Sequence, residues 1–305
     1  KKDNITNQPY VLTLMSQNGD SMIKQEVEFP VEYRSGDQCP SCNQGTLEYD
    51  GLLNLTCPNC GFALGGCFTW WIKNLPRWGE MEKEKMTSLL NDEIKTQVSE
   101  VFSQMQESVQ VIFFGKDEDC DYCDDTQLLL EEVSGLSDKI DLNIYNLEKD
   151  KDIAQQYKMD RAPGFVIAGK DGDQLLDYGI RYAGIPSGHE FSSLINSVLL
   201  VSGRDSKLGE DVRELLKKLD QPVNMFVFVT PTCPYCPQAV ILAHQMALES
   251  PMIEAEMIEA TEFPDLSSRF NVSGVPQTTI NDGAGTVVGA VPEGNLLAEI
   301  LRSVN

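Results

Sequence analysis

Thr232-Cys233-Pro234-Tyr235-Cys236 follows an apolar run at residues 225–229 and precedes a helix-like stretch at residues 238–248. A dithiol between a buried strand and a helix has its first sulfur beside the unpaired backbone N–H groups and the positive dipole end of the helix. Both features stabilise a thiolate, which is the form of cysteine that attacks disulfides. The stretch therefore predicts a reactive dithiol on a strand-to-helix turn.

A second dithiol, Cys120-Asp121-Tyr122-Cys123, lies upstream, and Cys120 and Cys233 are 113 residues apart. Pro163 and Pro276, each just before a predicted strand, are also 113 residues apart. Around each dithiol the apolar pattern predicts a strand, a helix, a strand, a helix, the proline, two strands and a final helix. Two anchors in one register indicate an internal duplication.

The duplication sets the expected domain boundaries. We place the first copy at residues 80–203 and the second at residues 204–305, after an N-terminal segment at residues 1–79. The linker at residues 201–206 is short. We therefore expect the two copies to pack against each other rather than to move freely.

Composition narrows the classes of function. The 305 residues carry a formal net charge of −23, from 24 basic and 47 acidic side chains. A nucleic-acid-binding protein neutralises phosphates with clustered Lys and Arg, so this charge argues against a nucleic-acid partner. No apolar run reaches the ~20 residues of a membrane span, and residues 1–10 lack the apolar core of a signal peptide. We expect a cytoplasmic protein with no membrane partner.

The N-terminal segment contains two further pairs, and 14 residues separate them. Two strand-like stretches between the pairs, at residues 46–49 and 53–56, predict a hairpin that brings four thiolates together. Such a tetrahedral site suits zinc, although iron remains possible, and we expect its role to be structural. The alternative is a pair of structural disulfides, and Cys67 is interpreted as a packing residue. The predicted metal ligands are Cys39, Cys42, Cys57 and Cys60.

The unit built around each dithiol resembles thioredoxin and glutaredoxin, and Cys233-Pro234-Tyr235-Cys236 matches the glutaredoxin motif residue for residue. Two units in tandem are similar to the protein disulfide oxidoreductases of thermophilic microbes, as are the stretches at residues 160–163 and 179–191. The resemblance covers residues 80–305. It implies an α/β fold with two tandem thioredoxin-like domains, each a central mixed sheet flanked by helices, preceded here by a small β zinc ribbon.

The resemblance also implies that Pro163 and Pro276 follow cis peptide bonds. Such a proline turns the chain so that the residue before it, Ala162 or Val275, presents its backbone to a bound substrate strand. A flavoprotein of the thioredoxin-reductase kind is the implied electron donor, and protein disulfides are the implied substrates. The chain itself has no sequence motif for a nucleotide or flavin.

The two dithiols differ in the charge around them. Residues 117–125 carry six carboxylates, which disfavour a thiolate at Cys120, whereas residues 224–241 carry no charge. With Pro234 at the helix start, we expect the pKa of Cys233 to fall below the ~8.5 of a free thiol. Cys233 is therefore the predicted nucleophile and Cys236 the resolving thiol, and Cys120 and Cys123 form a slower pair that relays electrons or takes part in isomerisation.

One departure from thioredoxin concerns the proton acceptor for the resolving thiol. Thioredoxins keep a buried carboxylate in the strand before the dithiol, and both corresponding strands here are apolar. Glu254, Glu256 or Glu259 on the neighbouring strand, or water, could take that role, although all three could equally be solvated. The stretch at residues 187–190 is interpreted as a capping box, and His189 and His244 are left out of the catalytic set.

These observations predict a thiol–disulfide oxidoreductase that reduces, oxidises or isomerises protein disulfides. Two alternatives remain open at this stage. The chain could be a dedicated electron donor to one enzyme, such as a peroxidase or ribonucleotide reductase, as in the tandem modules attached to alkyl hydroperoxide reductases. It could also be a non-enzymatic redox or zinc sensor whose ribbon changes partner binding when it loses metal.

Overall fold

The computed structural model describes residues 11–15, 22–26, 38–39, 44–46, 48–49, 55–59, 63–64, 88–172 and 174–304. The chain divides into two compact units. The first comprises Lys1–Tyr49 and Leu55–Ala63, and the second comprises Asp50–Asn54 and Leu64–Asn305. The predicted boundary at residue 79 lies outside the described residues and stays a prediction, as does the boundary between residues 203 and 204.

The N-terminal part of the chain contains a two-stranded antiparallel sheet and a three-stranded sheet. The second sheet contains the predicted hairpin between the cysteine pairs, because Glu48 pairs with Thr56 and Tyr49 with Leu55. Three strands were not predicted, namely both strands of the first sheet and β5. The strands are β1 Val11–Met15, β2 Met22–Glu26, β3 Glu48–Tyr49, β4 Leu55–Thr56 and β5 Ala63–Leu64.

The second unit alternates strands and helices in the order that the duplicated pattern predicts. Its first half contains α1 Asp92–Phe102, β6 Ser108–Gly115, α2 Cys123–Ser134, β7 Ile140–Asn146, α3 Lys151–Gln156, β8 Gly164–Asp171, β9 Gln174–Leu176, β10 Ile180–Ala183 and α4 Glu190–Gly203. Its second half contains α5 Glu210–Leu216, β11 Val223–Val229, α6 Cys236–Glu249, β12 Ile253–Glu259, α7 Pro264–Arg269, β13 Gln277–Ile280, β14 Gly285–Val288 and α8 Glu293–Ser303. Among the described helices, none combines the length and apolarity that a bilayer crossing requires.

Two predicted elements have different bounds in the structure. The helix expected from residue 80 begins at Asp92, because the Asn91 side chain caps it by accepting a hydrogen bond from the backbone N–H of Ile94 at 2.8 Å. The single strand expected at residues 175–180 is two strands, β9 and β10. Gly179, with φ of +75°, turns the chain between them.

A single mixed sheet of nine strands runs through both halves, in the order β14-β13-β11-β12-β10-β8-β6-β7, with β9 beside β8. The halves meet where β10 pairs in parallel with β12, from Ile180 opposite Ala255 to Ala183 opposite Ile258. The expectation that the two copies pack against each other is confirmed, and a shared sheet is a closer association than packed surfaces. The largest hydrophobic cluster also contains residues of both halves, among them Phe165, Leu194 and Met257.

Candidate active site

The second dithiol lies between β11 and α6. Cys236 is the first residue of α6 and is fully buried, whereas Cys233 is 8% exposed. The two cysteines form a disulfide with a Cα–Cα distance of 5.5 Å. Pro237, not Pro234, lies in the first turn of the helix, so the prediction of Pro234 as the helix-initiating proline was wrong. The first turn of α6 still places its backbone N–H groups beside the dithiol.

The predicted substrate loop faces this dithiol. The peptide bond between Val275 and Pro276 is cis, and the Val275 carbonyl oxygen lies 3.7 Å from the Cys233 sulfur. Tyr235, between the two cysteines, is 65% exposed. An incoming polypeptide would therefore meet an uncharged surface with a sulfur, a carbonyl and an aromatic ring.

The first dithiol occupies the same position after β6. Cys123 is the buried first residue of α2, and Cys120 is half-buried and bonded to it, with a Cα–Cα distance of 5.5 Å. The backbone N–H of Lys116 lies 3.3 Å from the Cys123 sulfur. The peptide bond between Ala162 and Pro163 is also cis. Both dithiols therefore have the same local architecture.

The surroundings of the first dithiol are acidic, as the sequence indicates. Five of its six carboxylates are exposed, and Asp125 is half-buried. Asp117 binds a cation: a hydrogen bond from Lys149 lowers its pKa, and Asn146 donates a second hydrogen bond at 2.8 Å. One lysine offsets only part of six negative charges, so the surface around Cys120 remains strongly negative.

Glu190 is a buried carboxylate that the sequence interpretation missed. It is the first residue of α4 and is 1% exposed, and Oε2 accepts a hydrogen bond from the Ser193 hydroxyl at 2.6 Å. Within the described residues, Oε1 has no hydrogen-bond partner. Burial raises the pKa of Glu190 to about 8. The capping box predicted at residues 187–190 is therefore wrong as an account of Glu190, whose side chain bonds Ser193 instead.

Glu190 belongs to the first half of the duplication but lies beside the second dithiol. The backbone N–H of His189 donates to the carbonyl of Pro231 at 2.9 Å, two residues before Cys233. Helices α4 and α6, which begin with Glu190 and Cys236, also pack against each other. The sequence signal that could have found Glu190 is its place at a helix start within a run whose neighbours are small or apolar.

A buried polar chain extends from Glu190 towards α6. Ser193 also lies 3.5 Å from the Tyr182 hydroxyl, which is 2.9 Å from the Ser197 hydroxyl. Ser197 in turn lies 2.8 Å from Nδ1 of His244. Burial lowers the pKa of His244 to about 3, so the ring is neutral. The interpretation of His244 as a plain amphipathic-helix residue is therefore incomplete, because it is fully buried and hydrogen-bonded.

The three carboxylates that the sequence offered as proton acceptors have other partners. Glu254 pairs with Lys158, and Glu256 pairs with Arg161 at 2.6 Å. Glu259 is 2% exposed, and Oε2 accepts three hydrogen bonds from Thr261 and Glu262. Its side chain lies against Gly184, on the side of the first half. Glu256 and Glu259 are therefore buried rather than solvated.

Gly188 permits the close approach between the loop before α4 and the second dithiol. It has φ of +61°, and a Cβ atom there would collide with the Pro231 carbonyl. We expect Gly188→Ala to lower the free energy of unfolding by about 3 kcal/mol, from backbone strain plus overlap. Gly172→Ala is the matched control, because φ is +59° and no atom lies within 4 Å; it should cost about 1 kcal/mol. Equal effects in urea denaturation would contradict the contact.

Two of the four predicted metal ligands are described. Cys39 and Cys57 are buried, and the Cys39 N–H donates to the Gly45 carbonyl at 2.8 Å. A Cβ atom on Gly45 would lie 2.6 Å from the Cys57 sulfur, so the hairpin brings Cys57 against the turn that follows the first pair. This arrangement fits a shared metal site. Cys42 and Cys60 lie outside the described residues, so the four-thiolate set stays a prediction.

Comparisons with known proteins agree with the geometry. Residues 223–302 match a family model described as a thioredoxin domain. A protein disulfide oxidoreductase from Aeropyrum pernix has a similar structure, with a TM-score of 0.64 and 30% identity, covering 70% of this chain and 94% of that one. The NTD_N/C domain of alkylhydroperoxide reductase AhpF from Enterococcus faecalis matches with a TM-score of 0.63 and 25% identity, over 70% of this chain and all of that one.

The alkyl hydroperoxide reductase AhpF of Staphylococcus aureus is 29% identical over 194 residues, which are 63% of this chain and 34% of that protein. The chain thus spans about a third of the length of the curated relatives that it matches.

Proposed function

We propose, because this chain belongs to the protein disulfide oxidoreductases with two thioredoxin-like domains, that it exchanges thiols and disulfides in protein substrates through Cys233 and Cys236. The observation that carries the proposal is the Cys233 sulfur at the start of α6, 3.7 Å from the carbonyl of Val275 in the loop before Pro276. A substrate strand paired with that loop has its disulfide beside Cys233.

In the reducing direction, the Cys233 thiolate attacks one substrate sulfur, and the other substrate sulfur leaves as a thiolate. The Cys236 thiolate then attacks the Cys233 sulfur of the mixed disulfide. This step releases the second substrate thiol and leaves the Cys233–Cys236 disulfide, so two electrons pass to the substrate. Oxidation of substrate dithiols is the same sequence in reverse.

Glu190 is proposed as the proton acceptor for Cys236. Its unpartnered Oε1 is shielded from solvent, and its helix packs against the helix that Cys236 begins. With a pKa raised to about 8 by burial, the carboxyl can both take and return a proton near neutral pH. It thereby fills the role for which no carboxylate is present in β11.

The test is turnover of a protein disulfide in the presence of a reductant. The purified chain with dithiothreitol should accelerate insulin reduction over dithiothreitol alone. The control is a variant in which Cys120, Cys123, Cys233 and Cys236 are all serine, which should give no acceleration. Equal rates for the two proteins would overturn the proposal. We further propose a cytoplasmic location, where dithiols of this kind stay available for turnover.

A second candidate is favoured by the similarity to alkyl hydroperoxide reductase AhpF, namely electron donation to a single peroxidase. In both cases we propose that a flavoprotein of the thioredoxin-reductase kind re-reduces the dithiols. Substrate range distinguishes the candidates. A chain that reduces a peroxidase disulfide rapidly but leaves insulin untouched is a dedicated donor.

We also propose that the N-terminal cysteines hold one structural zinc ion. The buried Cys39 and Cys57, together with Cys42 and Cys60, supply a four-thiolate set. Elemental analysis should find about one zinc per chain in the wild type and a loss of most of it in Cys57→Ser. Cys67→Ser is the control and should keep its metal. Unchanged zinc in Cys57→Ser, or iron in place of zinc, would contradict the assignment.

A further inference from the structure

The two dithiols lie at the same edge of the sheet but far apart along it. Strand β6 is antiparallel to β8, β8 is antiparallel to β10, and β10, β12 and β11 are parallel. The carboxyl ends of β6 and β11, which lead to Cys120 and Cys233, therefore point the same way. Three strands, β8, β10 and β12, separate them. Four spacings of about 4.8 Å place the two strands about 19 Å apart.

The halves are joined too firmly to close this gap by swinging. The β10–β12 pairing spans four residue pairs, and the hydrophobic core is continuous across it. Side-chain and backbone bonds cross the same junction: Arg161 pairs with Glu256 at 2.6 Å, and Ile185 N–H donates to Glu262 at 2.8 Å. Nearer the second dithiol, the His189 N–H donates to Pro231. Moving one dithiol towards the other would break all of these contacts.

Thiol–disulfide exchange requires direct contact between the attacking sulfur and the disulfide, with reacting atoms about 3–3.5 Å apart. A separation of about 19 Å within one sheet excludes this step inside one molecule. We propose that electrons pass between the two dithiols only from one copy of the chain to a second copy. The proposal rests on the proposed function, in that it takes both dithiols to be redox-active, and it replaces the expectation of a relay within one chain.

The exchange is balanced without another reactant. The Cys233 thiolate of a reduced copy attacks a sulfur of the Cys120–Cys123 disulfide in an oxidised copy, and the other sulfur leaves as a thiolate. Cys236 of the first copy then attacks its own Cys233 sulfur and releases the second thiolate. One copy gains a disulfide at Cys233–Cys236, and the other gains a dithiol at Cys120 and Cys123.

Charge favours this pairing of unlike dithiols. Two copies that meet at their first dithiols bring together two sets of six carboxylates. A first dithiol that meets a second dithiol faces the uncharged stretch at residues 224–241 instead. The whole chains still repel each other, because each carries a formal charge of −23. The rate of exchange should therefore rise with salt, which screens that repulsion.

The experiment follows electron redistribution in the wild-type chain. Oxidised protein receives one equivalent of dithiothreitol, is desalted, and is quenched by acid and alkylation at successive times, with peptide mass analysis of each dithiol. The apparent rate constant should rise roughly tenfold when the protein concentration rises roughly tenfold, and it should increase with salt. A rate constant that does not change with concentration would overturn the proposal, because it would mean exchange within one molecule.

A mixture of two variants separates the possible failures. Cys120→Ser/Cys123→Ser, which retains only the second dithiol, is reduced and mixed with oxidised Cys233→Ser/Cys236→Ser, which retains only the first. Transfer in this mixture at the wild-type rate supports exchange between copies. If both dithiols accept electrons from excess dithiothreitol but none pass in the mixture, the proposal is wrong. If a dithiol cannot be reduced by excess dithiothreitol, the proposed function of that dithiol fails instead.

Discussion

Replacing Cys233 by serine should lower the rate of insulin reduction to below about a thousandth of the wild-type rate, because a serine hydroxyl neither ionises near neutral pH nor forms a disulfide. Cys233 is the more exposed sulfur of its pair and faces the Val275 carbonyl, where a substrate strand would bind. No other thiol of the second dithiol can replace it, since Cys236 is fully buried.

The matched variant is Cys120→Ser, which removes the corresponding sulfur of the duplicated copy. We expect it to retain at least about half of the wild-type rate, because the acidic surroundings of Cys120 disfavour its thiolate. Circular dichroism and thermal unfolding of both variants would show whether either substitution perturbs the fold. Undiminished activity in Cys233→Ser, in a folded protein, would remove the central assignment.

Glu190→Gln should reduce the rate about 100-fold at neutral pH, because an amide cannot accept the proton of Cys236. Glu293→Gln is the matched control, since Glu293 is the first residue of α8 and so occupies the helix position in the second copy that Glu190 occupies in the first. We expect Glu293→Gln to keep the wild-type rate. A flat comparison between the two variants would mean that Glu190 has no part in the reaction.

A second readout of Glu190→Gln is the pH dependence of stability. The folded-state pKa is raised to about 8, above the ~4.3 of an unfolded glutamate. The wild type therefore has the full contribution of the neutral carboxyl below pH ~4.3 and loses it as the pH rises to about 8, by up to ~1.4 kcal/mol per unit. Glutamine does not ionise, so the stability of the variant relative to wild type should rise across this window.

Other buried carboxylates act in the same direction and remain in the variant. Burial raises the pKa of Glu262 to about 8 and that of Glu256 to about 7, the latter against the opposing charge of Arg161. The measured quantity is therefore the difference between wild type and variant in urea denaturation at pH 5 and pH 8. Glu293→Gln should leave that difference near zero. A difference for Glu190→Gln that does not change with pH would contradict the buried, neutral carboxyl.

The repeated parts of the fold were predictable because their signals are local. A strand that ends in a Cys-x-x-Cys and a helix that begins there leave a pattern of apolar residues and a motif within about 25 residues. The 113-residue register then placed both dithiols and both prolines in matching positions, and Cys123 and Cys236 are indeed the first residues of their helices. Both peptide bonds before the prolines are cis, as the family resemblance implied.

The shared sheet could not be predicted in the same way. The pairing of β10 with β12 joins residues about 75 positions apart, Ile180 with Ala255, and no local pattern specifies which strand lies next to which. The apolar residues of Ile180-Arg181-Tyr182-Ala183 follow β9 so closely that the pattern predicted one strand for both. The burial of β10 on both faces follows from the neighbouring strands and not from its own residues.

Glu190 was missed for a related reason. Its place three residues after Ser187 fits a helix-capping pattern, and that local interpretation accounted for the residue without any need for a partner in the other half. Only the tertiary contact between the loop before α4 and Pro231 brings it to the second dithiol. The acceptors offered from the sequence were on β12, next to β11 as expected, but their side chains bind elsewhere.

The difference between the two dithiols is the central claim, and competitive alkylation of the fully reduced chain tests it most directly. Iodoacetamide at pH 7 under pseudo-first-order conditions, followed by peptide mass analysis, gives the rate for each cysteine. We predict that Cys233 reacts faster than Cys120, because its surroundings carry no charge and the start of α6 stabilises its thiolate. Faster alkylation of Cys120 than of Cys233 would contradict the account.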